Sequence, residues 1–521
     1  CPATRYALNM LVWIILSACE PTYVKPVDDG TTDDIVQDTN APVDTGEPQE
    51  TGEPPPPEPT FSISVVGPNV WERRMTGPVA LDLLHEGEGT IAVTVIDSDG
   101  LTANTLTPDE EGVYTWEGMH EDGTVLPVGR YTIRATLEHE EGFEAAQHTV
   151  RIIRVGTQEG RFGGEDRIPL TWHRQYGPGT YFTPEVESPD FSIVSLDDGD
   201  AARPIPEIWD NLAQYPTPSI EGNNVPAAYP WYATPSLELS INGDTSGLTV
   251  TAQIDGWTVD TPEALPGGTF VFTKDGTLAD GPGVVEQTLE VIWYAGEDLL
   301  GIQEIPTRLY ATLDHPTWPS DSTRYQPWLA VIDPALRAID GVEPDEYSTA
   351  DALVEHVYRD HGLVYDTDSG ASFYSWYDSW GYGDAQIDLT SYLMRSNGLV
   401  INCSDAAAIM GAYSNALGVD LEYAIIRDGF SLNQIKAIGI DDFSNCPFGP
   451  SGCGFSYHAV TTLDDADTIH DATLALDGDD DPGSLPSTEL LVQTISGEEY
   501  MDRLVMAGSP RYRHIQKVEI R

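Results

Sequence analysis

The spacing of apolar residues changes near Pro316, and this change constrains the fold more than any other feature of the chain. Before it, apolar residues alternate in short runs separated by Gly, Pro and Asp, which is the pattern of half-buried strands. After it, they recur every three to four positions, as in amphipathic helices. At roughly 100–200 residues per domain, 521 residues form about three domains. We therefore predict a multidomain chain with all-β domains first and an α+β domain at the C-terminus.

The chain is strongly acidic. Lys and Arg total 25 against 85 Asp and Glu, which gives a formal net charge of −60. Such a surface repels phosphate backbones and anionic lipid head groups. We therefore expect no nucleic-acid partner. The acidity has two interpretations, adaptation to a salty medium and contact with a calcium-rich exterior.

The first residues predict export. Arg5 precedes a mainly apolar run from Tyr6 to Ala18, shorter than the ~20 residues of a bilayer-spanning helix. The run ends in Leu16-Ser17-Ala18-Cys19, which resembles the bacterial lipobox; the resemblance implies cleavage before Cys19 and acylation of that residue. We expect a signal peptide over 1–18, no further membrane span, and a lipid-anchored protein of the cell envelope, at the outer membrane. An ordinary signal peptide with an incidental cysteine is the alternative.

Residues 19–60 are acidic and Pro-rich, with the near repeat Asp44-Thr45-Gly46-Glu47-Pro48 and Glu50-Thr51-Gly52-Glu53-Pro54. Such a segment cannot bury enough apolar surface to offset chain entropy. Charge repulsion and polyproline geometry keep it extended. We predict a disordered tether.

Residues 61–155 are predicted to form a small β-sandwich. Ile91, Val93 and Val95 alternate with outward positions, and Asp97-Ser98-Asp99-Gly100 then forms a turn. The segment from Tyr114 through Gly129-Arg130-Tyr131 resembles the immunoglobulin-like repeat named after the flagellar hook-cap protein. The resemblance implies an aromatic in the core, and spacing or adhesion rather than chemistry.

Residues 160–315 are predicted to form a second β domain of unassigned role. Its strand candidates are Leu248–Ile254, Thr269–Thr273 and Gln287–Tyr294. Its aromatic residues either pack in the core or form the floor of a carbohydrate groove. These residues are Trp172, Trp209, Trp231 and Tyr232.

Residues 325–521 contain the candidate chemistry. Ser348-Thr349-Ala350-Asp351 has the form of a capping box before one helix. A second helix is predicted to begin at Asn402-Cys403, because apolar residues recur at helical spacing as far as Leu417. Cys403 would lie in its first turn, where the helix dipole and unpaired amides stabilise a thiolate and an oxyanion. His458 and Asp471 are expected on two later strands.

Three segments then resemble one family. Asn402-Cys403-Ser404-Asp405-Ala406, Tyr457-His458-Ala459-Val460 and His470-Asp471-Ala472-Thr473 occur in the order found in the transglutaminase-like superfamily of papain-type cysteine enzymes. The likeness covers roughly Ala335 to Asp477. It implies that Cys403 is the nucleophile, His458 the general base and acid, and Asp471 the orienting carboxylate.

The chain departs from the family pattern next to the acid. Ala472 stands where the family usually has Pro, and His470 stands where it often has an aromatic residue. Asp464 and Asp465 therefore remain alternatives to Asp471. The upstream side chain that would donate to the oxyanion is not assigned.

Cys446 and Cys453 enclose a loop rich in turn-forming residues before the His458 strand. In an exported protein we expect them to form a disulfide. Zinc bound with His458 or His470 is the alternative, although a clear fourth ligand is missing. The acidic loop 477–481 is either a calcium site or a solvated loop, and no glutamate follows at the spacing of an EF-hand.

These features predict one reaction class. The Cys403 thiolate would attack an amide carbonyl, and water or an amine would resolve the thioester. Neither an organic cofactor nor a metal is expected, and the substrate would be a protein or a peptidoglycan peptide. The rival function is a catalytically silent adhesion or scaffold lipoprotein that binds through its β domains. Protease, amidase and cross-linking activities differ in pocket shape, which the sequence does not reveal.

Overall fold

The computed structural model describes most of the chain from residue 62 onwards. The described residues are 62–72, 76–168, 170–171, 175–177, 180–182, 185–186, 225–245, 247–260, 263–265, 267–318, 327–376, 385–393, 395–450, 452–463, 468–515 and 517–520. The predicted signal peptide, the predicted tether, Cys19, Trp172 and Trp209 lie outside them. Within these ranges, no helix is long and apolar enough to cross a membrane.

The first β domain is a two-sheet sandwich, which confirms the sequence prediction. One sheet has the strand order β1-β3-β6 and the other β2-β8-β7-β4-β5. The core contains Trp71, Trp116 and Tyr131. The ring centroid of Trp116 lies 5.2 Å from that of Trp71 and 5.6 Å from that of Tyr131. The strands are β1 Ser62–Val66, β2 Val70–Trp71, β3 Val79–Glu86, β4 Thr90–Ile96, β5 Thr102–Leu106, β6 Tyr114–Trp116, β7 Gly129–His139 and β8 Gly142–Ile152.

The second β domain contains two sheets of four strands each, with the orders β14-β20-β19-β16 and β17-β18-β15-β9. Trp231 packs against its core, whereas Tyr232 is exposed and its hydroxyl donates to Asp314 Oδ1 at 2.7 Å. The strands are β9 Arg154–Gly163, β10 Leu170–Thr171, β11 Gln175–Gly177, β12 Thr180–Phe182, β13 Glu185–Val186, β14 Val225–Pro230, β15 Ser236–Asp244, β16 Thr251–Gln253, β17 Trp257–Val259, β18 Thr269–Lys274, β19 Gly283–Ala295 and β20 Asp298–Thr312.

The junction between the two β domains is buried. A single residue, Ile153, separates β8 from β9, and both Ile153 and Val155 are fully buried. Val70 from the first domain belongs to the apolar core of the second. The Val155 amide donates to Glu72 Oε2 at 2.8 Å, which adds a buried polar link. The junction is therefore a packed interface rather than a linker.

The C-terminal region is α+β. Its central sheet has the order β27-β30-β29-β25-β33, with β31 also paired to β30. The helices are α1 Leu329–Ala338, α2 Glu346–Arg359, α3 Leu389–Leu393, α4 Cys403–Ala416 and α5 Gly497–Leu504. The strands are β21 Val364–Tyr365, β22 Ser375–Trp376, β23 Gln386–Ile387, β24 Val400–Ile401, β25 Glu422–Arg427, β26 Phe430–Leu432, β27 Ile435–Ala437, β28 Gly454–Phe455, β29 His458–Leu463, β30 Thr468–Asp477, β31 Glu489–Ser496, β32 Val505–Gly508, β33 Arg511–Ile515 and β34 Glu519–Ile520.

Helix α4 is the centre of this region. All of its residues are buried, and it packs against β29 and β30. A helix that is buried on every side does not slide or rotate without leaving cavities. Its first residue, Cys403, therefore has a fixed position relative to the sheet.

The cap of α2 differs from the sequence prediction. The Ser348-Thr349-Ala350-Asp351 segment lies inside the helix, and the N-cap is Asp345. Asp345 accepts hydrogen bonds from the Ser348 amide at 3.0 Å and the Ser348 hydroxyl at 2.7 Å. Both Ser and Asp are favoured N-caps. Here the helix begins one turn earlier, and Ser348 becomes the donor.

Candidate active site

Cys403 lies at the start of α4, as the sequence pattern predicted. It is a free cysteine with an exposed fraction of 3%. Asn402 is the N-cap, and its side chain accepts a hydrogen bond from the Asp405 amide at 3.1 Å. The Asp405 carboxylate accepts in return from the Asn402 amide at 3.3 Å. This reciprocal capping box fixes the helix start and places the thiol beside the amides of the first turn.

His458 and Asp471 form a buried pair on neighbouring strands. His458 is the first residue of β29, and Asp471 lies on β30, which pairs with β29 in antiparallel fashion. His458 Nε2 lies 2.8 Å from Asp471 Oδ2, and the two side chains are 0% and 1% exposed. A carboxylate only accepts hydrogen bonds, so Nε2 carries the proton. The other ring nitrogen, Nδ1, is left for a second partner.

Cys403 is a neighbour of this imidazole. Burial lowers the pKa of His458, but the charge and hydrogen bond of Asp471, together with the Cys403 side chain, outweigh it and raise the pKa to about 10. Nδ1 nevertheless has no partner of strict hydrogen-bond geometry among the described residues. The thiol and imidazole are therefore neighbours whose hydrogen bond is incomplete in this conformation, as is common before substrate binds.

Asp471 is held by two donors besides His458. Its Oδ1 accepts from the Thr473 amide at 2.7 Å. Its Oδ2 accepts from the Tyr500 hydroxyl at 2.7 Å as well as from His458. Tyr500 lies on α5 and is fully buried. Burial and the charge of Asp471 raise the pKa of Tyr500 well above its usual value, so the phenol remains a donor at neutral pH.

A second tyrosine lies close to the thiol. Tyr365 on β21 pairs with Ile401 on β24, two residues before Cys403. Burial, followed by the charge of Cys403, raises the pKa of Tyr365, and a side-chain hydrogen bond with Cys403 contributes. The buried phenol thus contacts the side chain that would react.

The predicted disulfide between Cys446 and Cys453 is confirmed. The loop that it closes carries Phe448, whose ring centroid lies 6.0 Å from that of Tyr365 and 5.9 Å from that of Phe455. Phe455 stacks on the His458 imidazole, with ring centroids 4.9 Å apart and an interplanar angle of 7°. The disulfide loop therefore packs against the tyrosine next to the thiol and against the ring that stacks on the imidazole.

The described residues hold no group of three or more His, Cys, Asp or Glu side chains that could bind a metal ion. His470 Nε2 lies 3.3 Å from Asp351 Oδ1 on α2. In the acidic loop, Asp477 Oδ1 accepts from the Thr488 amide at 3.0 Å, and Asp479 Oδ1 accepts from the Asp481 amide at 2.8 Å. These loop carboxylates are used in local hydrogen bonds.

The structure brings Cys403, His458 and Asp471 together, whereas Asp464 and Asp465 lie outside the described residues. The sequence analysis assigned no role to Tyr500 or to Tyr365. The position of Tyr365 in a short apolar run before the Cys403 helix was a usable signal. No local pattern marked Tyr500, because it reaches Asp471 from a helix 29 residues further along the chain.

No protein-family model matches this chain. No curated protein matches it. Among solved structures, titin domains match 50% of this chain and 68% of their own length at 11% identity, with a TM-score of 0.16. The three N-terminal domains of the outer capsid protein Hoc of bacteriophage RB49 match 48% and 70% at 9% identity, with a TM-score of 0.20. Domains 4-9 of the surface layer protein SbsC match 49% and 32% at 14% identity, with a TM-score of 0.14. At these values the likenesses assign neither a family nor a function.

Proposed function

We propose that residues 325–521 form a transglutaminase-like cysteine domain that acts on amide bonds. The observation that carries the proposal is the buried His458–Asp471 hydrogen bond of 2.8 Å beside the only free cysteine among the described residues. Each group meets a different chemical need. Cys403 supplies a nucleophile, His458 moves protons, and Asp471 orients the imidazole and stabilises its charged form.

The proposed reaction has two steps. The Cys403 sulfur attacks the amide carbonyl carbon, the C–N bond breaks, and the His458 imidazolium gives its proton to the leaving amine. Water or a second amine then attacks the thioester, His458 takes the proton of this nucleophile, and the thiolate leaves. Backbone amides at the start of α4 would stabilise the oxyanion.

Thiol labelling tests the proposal without knowledge of the substrate. Neutral iodoacetamide reports the thiolate, and anionic iodoacetate reports in addition the positive imidazolium beside it. We expect both reagents to label Cys403 at pH 7 much faster than an ordinary thiol, and His458→Ala to slow both. Cys403→Ser identifies the labelled residue. Rates in the wild-type protein that equal those of an ordinary thiol and do not depend on His458 would exclude the enzyme function.

A binding or scaffold function is the second candidate. The observation that favours it is the burial of the reacting groups, because Cys403 is 3% exposed and His458 is 0% exposed. A substrate carbonyl would reach the sulfur only after neighbouring side chains move. In that case the two β domains, each with its own core, would perform the function by binding a partner. Slow labelling of Cys403 by both reagents is the result expected of this function.

We further propose that the protein is anchored in the cell envelope by acylated Cys19, at the outer membrane. Support for the anchor comes from the Leu16 to Cys19 segment, and support for the outer membrane comes from Glu20, because Glu rather than Asp after the cysteine fits outer-membrane sorting in the bacteria whose rules are known. With such an anchor, the substrates in reach would be envelope proteins or peptidoglycan peptides. The net charge of −60 favours cationic over anionic partners and is compatible with calcium near the surface.

A further inference from the structure

The Asp471 carboxylate has an arrangement that a simple triad does not need. One oxygen, Oδ2, accepts two hydrogen bonds, from His458 Nε2 at 2.8 Å and from the Tyr500 hydroxyl at 2.7 Å. The other oxygen accepts from the Thr473 amide at 2.7 Å. All of these side-chain groups are buried, so water does not compete for them. Tyr500 is the one side chain that comes from outside the sheet.

The placement of Tyr500 is set by the fold. Helix α5 follows β31 directly, and the Ser496 hydroxyl caps it by accepting from the Glu499 amide at 3.2 Å. The helix packs against β30 and β31, and Tyr500 is its fully buried aromatic residue. Its phenol therefore reaches Asp471 from a helix, whereas His458 reaches the same carboxylate from a strand of the sheet.

We propose that Tyr500 is a positioning residue of the site, whose hydroxyl holds the Asp471 carboxylate against His458 and takes up part of the charge of Oδ2. The inference rests on the proposed function of Cys403 and His458. It extends that function to a residue outside the predicted triad.

The physical consequence has a definite sign. An oxygen that accepts one hydrogen bond offers more of its charge to the imidazolium than an oxygen that accepts two. Without the phenol hydroxyl, the attraction between Asp471 and the His458 imidazolium grows, so the imidazolium keeps its proton to a higher pH. The carboxylate also loses one of its three anchors, so the imidazole is oriented less firmly and the thiol reacts more slowly.

Several titratable groups face this pair, and they must be separated from Tyr500. The Cys403 side chain on α4 raises the pKa of His458. The charge of Asp471 raises the pKa of four phenols. Burial is the largest cause of the raised pKa of each phenol, so all four are neutral near pH 7. They are Tyr358 on α2, Tyr365 on β21, Tyr500 on α5 and Tyr512 on β33.

Hydrogen bonding distinguishes Tyr500 from two of these phenols. The Tyr358 hydroxyl donates to the Lys436 carbonyl at 3.0 Å, and the Tyr512 hydroxyl donates to the Gly497 carbonyl at 3.2 Å. Tyr512 thus contacts the first residue of α5 without a bond to the carboxylate. Tyr512→Phe is therefore a matched control, because it removes a phenol hydroxyl that packs on the same helix.

The test compares Tyr500→Phe with Tyr512→Phe in the full-length protein. The readout is the ratio of iodoacetate to iodoacetamide labelling rates at Cys403 as a function of pH, because its alkaline midpoint marks the loss of the imidazolium proton. For Tyr500→Phe we expect a midpoint raised by roughly half a pH unit to one unit. We also expect the labelling rate at pH 7 to fall about tenfold, as for loss of a hydrogen bond to a charged group. Tyr512→Phe should keep the wild-type midpoint.

Two outcomes overturn the inference and leave the proposed function standing, since that function is judged by wild type against His458→Ala. One is a Tyr500→Phe protein with the wild-type midpoint and rate. The other is the same change in both Phe variants, which would mean that α5 acts by packing alone. If Tyr500→Phe does not fold, 3-fluorotyrosine at position 500 keeps the ring and strengthens the donor. It should lower the midpoint, and an unchanged or raised midpoint would overturn the inference.

Discussion

Ser375 is joined to Asp405 twice: its amide and its hydroxyl both donate to Asp405 Oδ1, at 2.7 and 2.8 Å. Asp405 is fully buried on α4, two residues after Cys403. The same carboxylate accepts from the Phe373 amide at 2.8 Å and the Tyr374 amide at 2.9 Å. One side chain therefore caps the helix that carries the thiol and also holds the preceding loop.

We expect Asp405→Ala to destabilise the C-terminal region by at least about 3 kcal/mol, because several buried donors lose their acceptor at once. Asp345→Ala is the matched control, since Asp345 caps α2 at the exposed surface and its loss should cost about 1 kcal/mol. The measurement is thermal unfolding followed by near-ultraviolet circular dichroism. Equal losses in the two variants would contradict the central role given to Asp405.

The charge state of His458 gives a pH dependence with a definite sign. Asp471 and Cys403 outweigh the effect of burial and raise the pKa of His458 to about 10. The imidazolium should therefore persist through neutral pH and be lost as pH rises through about 10. The excess labelling of Cys403 by iodoacetate over iodoacetamide should hold to about pH 9 and then fall. In His458→Ala this excess should be missing at every pH, and an excess that disappears near pH 6.5 would show that the imidazole has an ordinary pKa.

We expect the Cys446–Cys453 bridge to support the site through Phe448. Replacing both cysteines with serine should cost about 2–3 kcal/mol in the chain-entropy description of so short a loop. It should also lower the labelling rate of Cys403, because Phe448 packs on Phe455, which stacks on His458.

Phe448→Ala with the bridge intact separates these two effects. It should reproduce the slower labelling of Cys403 and keep the entropic contribution of the bridge. Peptide mapping under non-reducing conditions should show the bridge in wild type and leave Cys403 alkylatable. If Cys403 is labelled at the wild-type rate both in Phe448→Ala and in the double serine variant, the disulfide loop does not support the site.

The anchoring proposal has its own test. Mass spectrometry of the mature amino terminus should find acylated Cys19, and Cys19→Ala should move the protein out of the membrane fraction. The expectation follows from the apolar run that ends at Leu16-Ser17-Ala18-Cys19. A mature protein that begins elsewhere, without an acyl group, would count against the lipoprotein interpretation.

Helices and strands with a regular spacing of apolar residues along their own length were predictable from the sequence. The helix that begins at Cys403 and the strand with Ile91, Val93 and Val95 are examples, since Val93 and Val95 are fully buried, Ile91 packs against the same core, and the helix is buried throughout. The predicted strand Leu248–Ile254 is only the three-residue β16, because apolar alternation does not specify how much of a segment pairs.

The site was predictable only in part. His458 and Asp471 are 13 residues apart on adjacent strands, and the order of motifs placed them together, although their catalytic role stays a prediction. Tyr500 could not be found in this way, because its contact depends on how β31 and α5 fold back over the sheet. The aromatic contact of Phe448 depends likewise on the path of the disulfide loop. Such long-range contacts have no local sequence period.

The buried junction at Ile153 restricts the exchange of these two domains by recombination during evolution. Domains joined by an exposed linker are easily exchanged one at a time, because each keeps its own core. Here Val70 of the first domain completes the core of the second, so a recombination event at the junction would leave a cavity in one partner and an exposed valine in the other. Gene fusion and duplication should therefore transmit the two β domains as a single block.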